Sequence, residues 1–502
     1  MVYGTLVLTC TSVCSQAVGF VYRIFLSRLI GAEVMGLYQL IMPVYSVLMA
    51  LTAVGLTVAV SNLSSEFHAK GNGAAVAQVL RRCLGLFLAL ITLAAGVVVL
   101  GYDPISVYLL GDARTQMGLL LLLPCAALTG VENLHKHFFY GGGCIRPPAA
   151  VELCEQFIRT GAVLGLLAVF LPQNPERTVG LIVAGMIVCE VFSASTLLLL
   201  ARRRLNAWGG GMGAPLPRRE LDRRIAAIAL PVAATSLLGN LMASANTVLI
   251  PQRLVHAGAE VSQAMSAFGV LCGMTAPMLS LPTAFIGAMG LVLVPKLAHA
   301  SALGQRALVQ RRIQRAMQAA SMTMFPAMAL LAVLGPDIGR LLFREETVGA
   351  YMLPLAAGTL LSCWQAVLSG SLSGVGRQKD AAWNAICSGA VQLGCTYLLM
   401  GLPGVGLGGY VAGFVVSSAL GTLLNWRSIR RCAGVEARVF LWFAAPGLAA
   451  LLMGACVDLL YRVLRGSGAG LLPAAGVCTI FGLLINGAAL QAQGVRLSPR
   501  SR

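Results

Sequence analysis

Apolar runs long enough to cross a bilayer follow one another along nearly the whole chain, each ended by a short polar stretch rich in arginine. A span needs about 20 mostly apolar residues. By that measure fourteen are predicted, at 4–30, 36–62, 83–103, 117–138, 149–171, 178–200, 225–250, 264–294, 316–335, 350–373, 381–402, 404–426, 439–464 and 469–490. The eighth is long and interrupted by Pro277 and Pro282, and the ninth is thin. An all-α polytopic membrane protein is the fold class this pattern predicts.

The loops set an orientation. With the N-terminus in the cytoplasm, one side collects Lys70, Arg81 and Arg82, then Lys136 and Arg146, then Lys296, Arg306, Arg311, Arg312 and Arg315. The same side receives Arg377, Lys379, Arg427, Arg430, Arg431 and Arg438, with Arg496, Arg500 and Arg502 in the tail. The other side has only scattered cations such as Arg114, Arg177, Arg253, Arg340 and Arg344. Cytoplasmic loops carry the excess of Lys and Arg, so both termini are expected in the cytoplasm of a multi-pass protein.

The connection between the sixth and seventh spans, "RRRLNAWGGGMGAPLPRRELDRR", is the longest clearly polar one. Its glycines and prolines suit a hinge between two halves, and it reads equally well as a plain basic loop. The halves on either side resemble each other. "YGGGCIRPPAAVE" before the fifth span parallels "LSGVGRQKDAAWN" before the eleventh at an offset of 232, and "VGLTVAVSNLSSEFHAKGN" parallels "AMGLVLVPKLAHASALGQ" near 234. An even number of spans separates the copies, so they share orientation, as in transporters whose repeats are related by an axis along the membrane normal. The predicted organisation is a six-helix lobe at 1–201, a basic linker at 202–224, a second lobe at 225–431, and two extra helices with a tail at 432–502.

Composition agrees. Hydrophobic residues make up 58% of the 502, charged residues 11%, where soluble chains carry about 25% charged. The first apolar run is too long for a signal-peptide core and lacks a basic n-region. A net charge of +18 would suit nucleic acid only on a soluble basic surface; here it lies in loops, and no nucleic-acid partner is expected. The fourteen cysteines are dispersed without a CxxC pair; Cys10 and Cys14 share a helix face as small packing residues. No metal site, cofactor or catalytic residue is predicted.

Charge within the apolar runs is the informative exception. It costs about 2.5–3.5 kcal/mol at the bilayer centre and usually faces a bundle interior or a watery cavity. In "GFVYRIFLSRLIGA" Arg23 and Arg28 are five residues apart, about 140° around a helix, and cannot share one narrow face. Arg28 has two open readings, snorkelling to the interface and meeting a ligand; Arg23, a turn deeper, is read as facing a cavity. Guanidinium suits phosphate because its planar donors bind bidentately. The fifth span places Glu152, Glu155 and Arg159 on one face, with Glu155 and Arg159 in the favourable i,i+4 order. A structural ion pair and a polar cavity wall with a protonatable Glu152 both fit. Glu132, Glu190 and Asn384 are weaker candidates, while Asn240 and Asn246 read as interhelical hydrogen-bonding residues.

With this plan the chain resembles the multidrug/oligosaccharidyl-lipid/polysaccharide exporter superfamily, and within it the stage V sporulation protein B-like polysaccharide-biosynthesis flippases. The lipid II flippases are a step further away. The residues that carry the resemblance are "GFVYRIFLSRLIGAEVMGLYQL", "VSNLSSEFHAKGN", "GGGCIRPPAAVELCEQFIRT" and "GAMGLVLVPKLAHA". It implies a V-shaped transporter of the cytoplasmic membrane that carries an undecaprenyl-pyrophosphate-linked saccharide by alternating access, for spore cortex or other cell-wall polysaccharide. In the lipid II flippases cavity arginines are thought to meet the pyrophosphate. Arg28 falls on one first-helix position of that set and Tyr22, beside Arg23, on the other. The arginines of their second and eighth helices have no counterpart in "LIMPVYSVLMALTAVG" or "GMTAPMLSLPTAFIG".

The expected partners are a lipid-linked glycan, membrane lipids and cell-wall synthesis enzymes. Two alternatives stand beside the flippase: a cation-coupled multidrug antiporter of the same fold, and a noncatalytic scaffold of a cell-wall complex. A membrane-embedded glycan polymerase would want catalytic groups on a sizeable external loop, and the external loops are short.

Overall fold

The computed structural model describes residues 2–170, 174–207, 213–402 and 404–494. The tail arginines Arg496, Arg500 and Arg502, residues 208–212 of the linker and the side chain of Cys10 lie outside the described residues. Helix is the regular structure throughout, and among the described residues there is no strand. This follows from the solvent, since a spanning segment must satisfy its own backbone groups.

Among the described residues fifteen longer helices carry the architecture: α1 Val2–Met49, α2 Gly55–Ala69, α3 Gly73–Leu100, α4 Gln116–Gly141, α5 Arg146–Phe170, α6 Pro175–Ala207, α7 Arg218–His256 and α8 Val261–Gly269. Then follow α9 Ala284–Ala302, α10 Arg306–Phe343, α11 Met352–Gly374, α12 Gln378–Leu399, α13 Leu407–Ala433, α14 Ala445–Gly466 and α15 Leu471–Ala492. Twelve helical stretches among the described residues are long and apolar enough to cross a membrane. One of them, Cys14–Ala69, has 56 residues and would measure about 84 Å if straight, more than two bilayer cores. Gly31 divides it with φ 76° and ψ 177°, a conformation almost confined to glycine, so it supplies the first two predicted spans. The predicted eleventh span is α12, outside the twelve.

The eighth predicted span is in two pieces. From α8 the helix continues through a wide π-type stretch, Val270–Thr275, and through Ala276–Ser280. It stops at a turn around Pro282 before α9, with the Thr283 N–H donating to the Ser280 carbonyl at 3.0 Å.

Contacts divide the chain into two compact units, one of residues up to Val255 with Ala259–Gly269, the other of His256–Gly258 with Val270 onward. The division falls later in the chain than the linker at 202–224, and α7 and α8 go with the first unit. The backbones of α1 and α8 approach closely there. A Cβ on Gly269 would stand 1.9 Å from the Ala32 carbonyl oxygen, and one on Gly36 2.2 Å from that of Met265. Within the first unit α6 packs on α4 and α5; within the second α13 packs on α11 and α12. The same neighbours therefore recur 232 residues on. A separate apolar cluster joins α10, α14 and α15 through Leu334, Met453, Val457 and Cys478.

The described part of the linker is bound to the first unit. Asn72 caps α3 by accepting from Ala75 N–H at 3.0 Å, and its amide donates to the Ala214 carbonyl at 2.9 Å. Gln78 makes paired bonds with Leu216, donating to its carbonyl at 2.8 Å and accepting from its N–H at 2.9 Å. Arg82 grips Asp222 through two bonds of 2.7 and 2.8 Å, and Leu216 packs on the cluster around Phe67, Val76 and Val79. Over residues 213–217 the chain is thus strapped to α3, and the hinge reading does not hold for that stretch.

Candidate functional site

The second half of α4, the first half of α5 and the middle of α6 meet in the first unit, and their facing positions carry charge. Glu132 and Lys136 are one turn apart on α4, with Nζ 2.6 Å from Oε1, and the same Nζ is 3.7 Å from Oε2 of Glu155 on α5. Arg159, one turn along α5 from Glu155, pairs with it and reaches Glu190 of α6 at 3.4 Å. Three helices are stitched together in this way by Glu132, Glu155 and Glu190, all buried, with Lys136 and Arg159 between them. Such pairs are strongly held when intact and costly when one partner is removed.

The expectation of an ion-paired face on α5 is met by Glu155 and Arg159. Glu152, half-buried, lies on the Lys136 and Tyr140 side of the network. Glu190, weakly favoured from sequence, is a central member. Lys136 was counted from sequence among the cytoplasmic cations at the end of the fourth span, not among the site residues. It lies inside α4, its side chain only 14% exposed. The signal that could have found it is the i,i+4 spacing from Glu132.

Arg23 and Arg28 point to different surroundings, as the 140° separation requires. Arg28 is exposed, three residues before the Gly31 break. Arg23 is half-buried and makes no ion pair among the described residues. Its charge and that of Arg159 both act on Tyr22 and Tyr38, so the first-helix arginine is brought beside the charged network. Tyr22, named from sequence only as the residue on the other first-helix position, packs against Leu26 and Val163.

Asn384 is not part of this constellation. In the second unit its amide donates to Asn425 Oδ1 at 2.9 Å and Ser428 Oγ at 3.1 Å, tying α12 to α13. Asn240 corrects its interhelical reading: its amide donates to the Ser236 carbonyl of its own helix at 2.9 Å. At the repeat offset, Glu132, Lys136, Glu155, Arg159 and Glu190 are matched by Trp364, Leu368, Cys387, Val391 and Thr422. Trp364 instead donates to Ser321 Oγ at 3.0 Å and stands edge-on to Phe325 and Phe443. The buried charge has no equivalent at these positions of the second unit.

Glu155, Cys189 and Glu190 hold ligand-capable atoms within 4.8 Å of one another. The guanidinium of Arg159 already bridges the two carboxylates, so the donor set is charge-balanced by arginine and fits a metal ion poorly.

Comparison with known proteins bears on this architecture. The family model described as "Polysaccharide biosynthesis protein" matches residues 1–301. Stage V sporulation protein B of Bacillus subtilis (strain 168) is 23% identical over 87% of this chain and 85% of its own length. Lipid II flippase MurJ of the same organism is 23% identical, over 87% and 84% respectively. Among solved structures, a lipid II flippase MurJ in an inward closed conformation superposes with a TM-score of 0.68, covering 99% of this chain and all of the other at 11% identity. An inward-facing multidrug resistance MATE family transporter gives 0.61, covering 84% and 96% at 18% identity. The fold is shared with both.

Proposed function

The chain belongs to the polysaccharide biosynthesis protein family, and from that premise we propose that it is a flippase carrying a lipid-linked, anionic saccharide across the cytoplasmic membrane by alternating access. The observation that carries this reading is Arg23. A permanent charge stands within the apolar length of the first helix, half-buried, and among the described residues no carboxylate pairs with it. Burying a cation there is costly, and an anionic headgroup, best a pyrophosphate able to accept two parallel bonds from the guanidinium, would offset the cost each time it passes. Relatives named for sporulation and for lipid II support a cell-wall or spore-envelope glycan as the cargo and the enzymes of its synthesis as neighbours. The excess of arginine and lysine on one set of loops supports cytoplasmic termini. A cationic drug would be repelled by Arg23, which weighs against the antiporter.

The test is reconstitution of variants matched for abundance in proteoliposomes carrying labelled undecaprenyl-pyrophosphate saccharide. Lysine keeps the charge and loses the planar fork, so Arg23→Lys should retain part of the flipping rate and Arg23→Ala almost none. Arg28→Ala should be the milder change if Arg28 snorkels and similarly severe if it shares the headgroup. A fully active Arg23→Ala protein would contradict the proposal.

A further inference from the structure

The carboxyl groups that meet between α4, α5 and α6 are not balanced by their basic neighbours. Lys136 serves Glu132 and Glu155, and Arg159 serves Glu155 and Glu190, so two cations face three buried carboxyls. Glu152 adds a fourth in the field of Lys136. Glu155 is met by both cations, whereas Glu132 is met by Lys136 alone and Glu190 by Arg159 alone, at 3.4 Å. A buried carboxyl that lacks a full opposing charge is favoured in its neutral form. Two cations among three buried carboxyls leave one proton to be held, and it falls to Glu132 and Glu190, the two with a single cation each.

A metal ion is the competing occupant, and Arg159 argues against it by bridging Glu155 and Glu190 at the three-ligand group. A second observation points the same way. The Tyr22 hydroxyl, 7% exposed and without a hydrogen-bond partner, lies in the field of Arg159 and Cys189 and adds an unused O–H to the cluster. We propose that Glu132 and Glu190 share one dissociable proton and form the proton-binding site that drives transport by this chain. The coupling half of this proposal rests on the transporter reading above.

The groups that face the pair come from each neighbouring helix. They are Cys125 and Lys136 of α4, Glu152, Glu155 and Arg159 of α5, and Cys189 of α6. From α1 Tyr45 acts on Glu190, and Tyr22 and Tyr38 lie in the field of Arg159 and Arg23. The charges of α2 and α3 are engaged elsewhere, Glu66 with Lys70 and Arg224, and Arg82 with Asp222. At the repeat offset the pair becomes Trp364 and Thr422, so one site per chain is expected.

Infrared difference spectra of the purified protein in lipid nanodiscs, taken across an alkaline titration in H2O and D2O, read the site without substrate. A deuterium-sensitive protonated-carboxyl band is expected, lost in Glu132→Gln and in Glu190→Gln and kept in Glu152→Gln. A wild-type spectrum without the band, or a band unchanged in both pair variants, overturns the shared proton. The wild-type spectrum decides the first point even if a variant does not fold. In proteoliposomes with labelled undecaprenyl-pyrophosphate saccharide, an imposed proton gradient should raise the initial flipping rate several-fold in the wild type. That response should be lost in either pair variant, and a sodium gradient should have no such effect. Flipping driven by sodium and indifferent to protons overturns the coupling and leaves the substrate reading standing. The carboxyl band in a protein that flips no lipid-linked saccharide upholds the proton site and removes the substrate reading.

Discussion

Lys136 shows what a single side chain decides in this molecule. It stands between two buried carboxylates of different helices, and removing it would leave Glu132 without a cation and Glu155 with Arg159 alone. Breaking a buried pair typically costs about 3–5 kcal/mol. Lys136→Met should therefore lower the melting temperature of the purified protein sharply, and adding Glu132→Gln should restore much of the loss by deleting one orphaned charge. An unchanged melting temperature in Lys136→Met would show that the network is solvated and not structural. Glu155 and Arg159 were legible because their partnership is local, four residues apart on one helix. The Glu190 contact with Arg159 spans 31 residues and two helices, which no local spacing reports. Lys136 was obscured because it lies two residues from the predicted end of its span, where a lysine reads as a cytoplasmic flanking charge.

At the scale of elements, the breaks matter as much as the helices. Gly31 holds φ 76° with open space where a Cβ would point, so the effect of replacing it is almost purely conformational. Gly31→Ala should destabilise by about 1–3 kcal/mol, read as a lower melting temperature; no loss would mean the backbone relaxes to a continuous helix. The strap formed by residues 213–217 makes a separate prediction. Its anchor Asp222 sits in the charged N-terminal part of α7, before the apolar stretch, and the Arg82 guanidinium holds its carboxyl below the usual range. A carboxyl held low stabilises the bound form above its ordinary range and loses that contribution as pH falls through the lowered value. Acidification should accordingly release the strap, and Asp222→Asn or Arg82→Ala should release it at neutral pH, seen as faster hydrogen exchange and protease cutting near 213–217. Equal protection at all pH values would refute this role. Hydrophobic periodicity located nearly every helix, whereas the strap was read as a hinge or a plain basic loop because glycine and proline signal irregular backbone without saying what it is bonded to.

For the whole molecule, the repeat was legible in two short parallels at one offset, and recurs in the packing of α6 on α4 and α5 and of α13 on α11 and α12. What the parallels could not convey is how completely the halves differ in chemistry. One is laced with ion pairs where the other has Trp364 and its aromatic neighbours, because equivalent backbone positions can be filled by either kind of contact. The proposed function depends on that asymmetry together with Arg23. The most direct measurement is the initial rate at which the wild-type protein, reconstituted in proteoliposomes, moves labelled undecaprenyl-pyrophosphate saccharide, set against its transport of a cationic dye in the same vesicles. Flipping of the saccharide well above that of protein-free vesicles, with no dye transport, is the result predicted here. Dye transport without movement of any lipid-linked saccharide would contradict it.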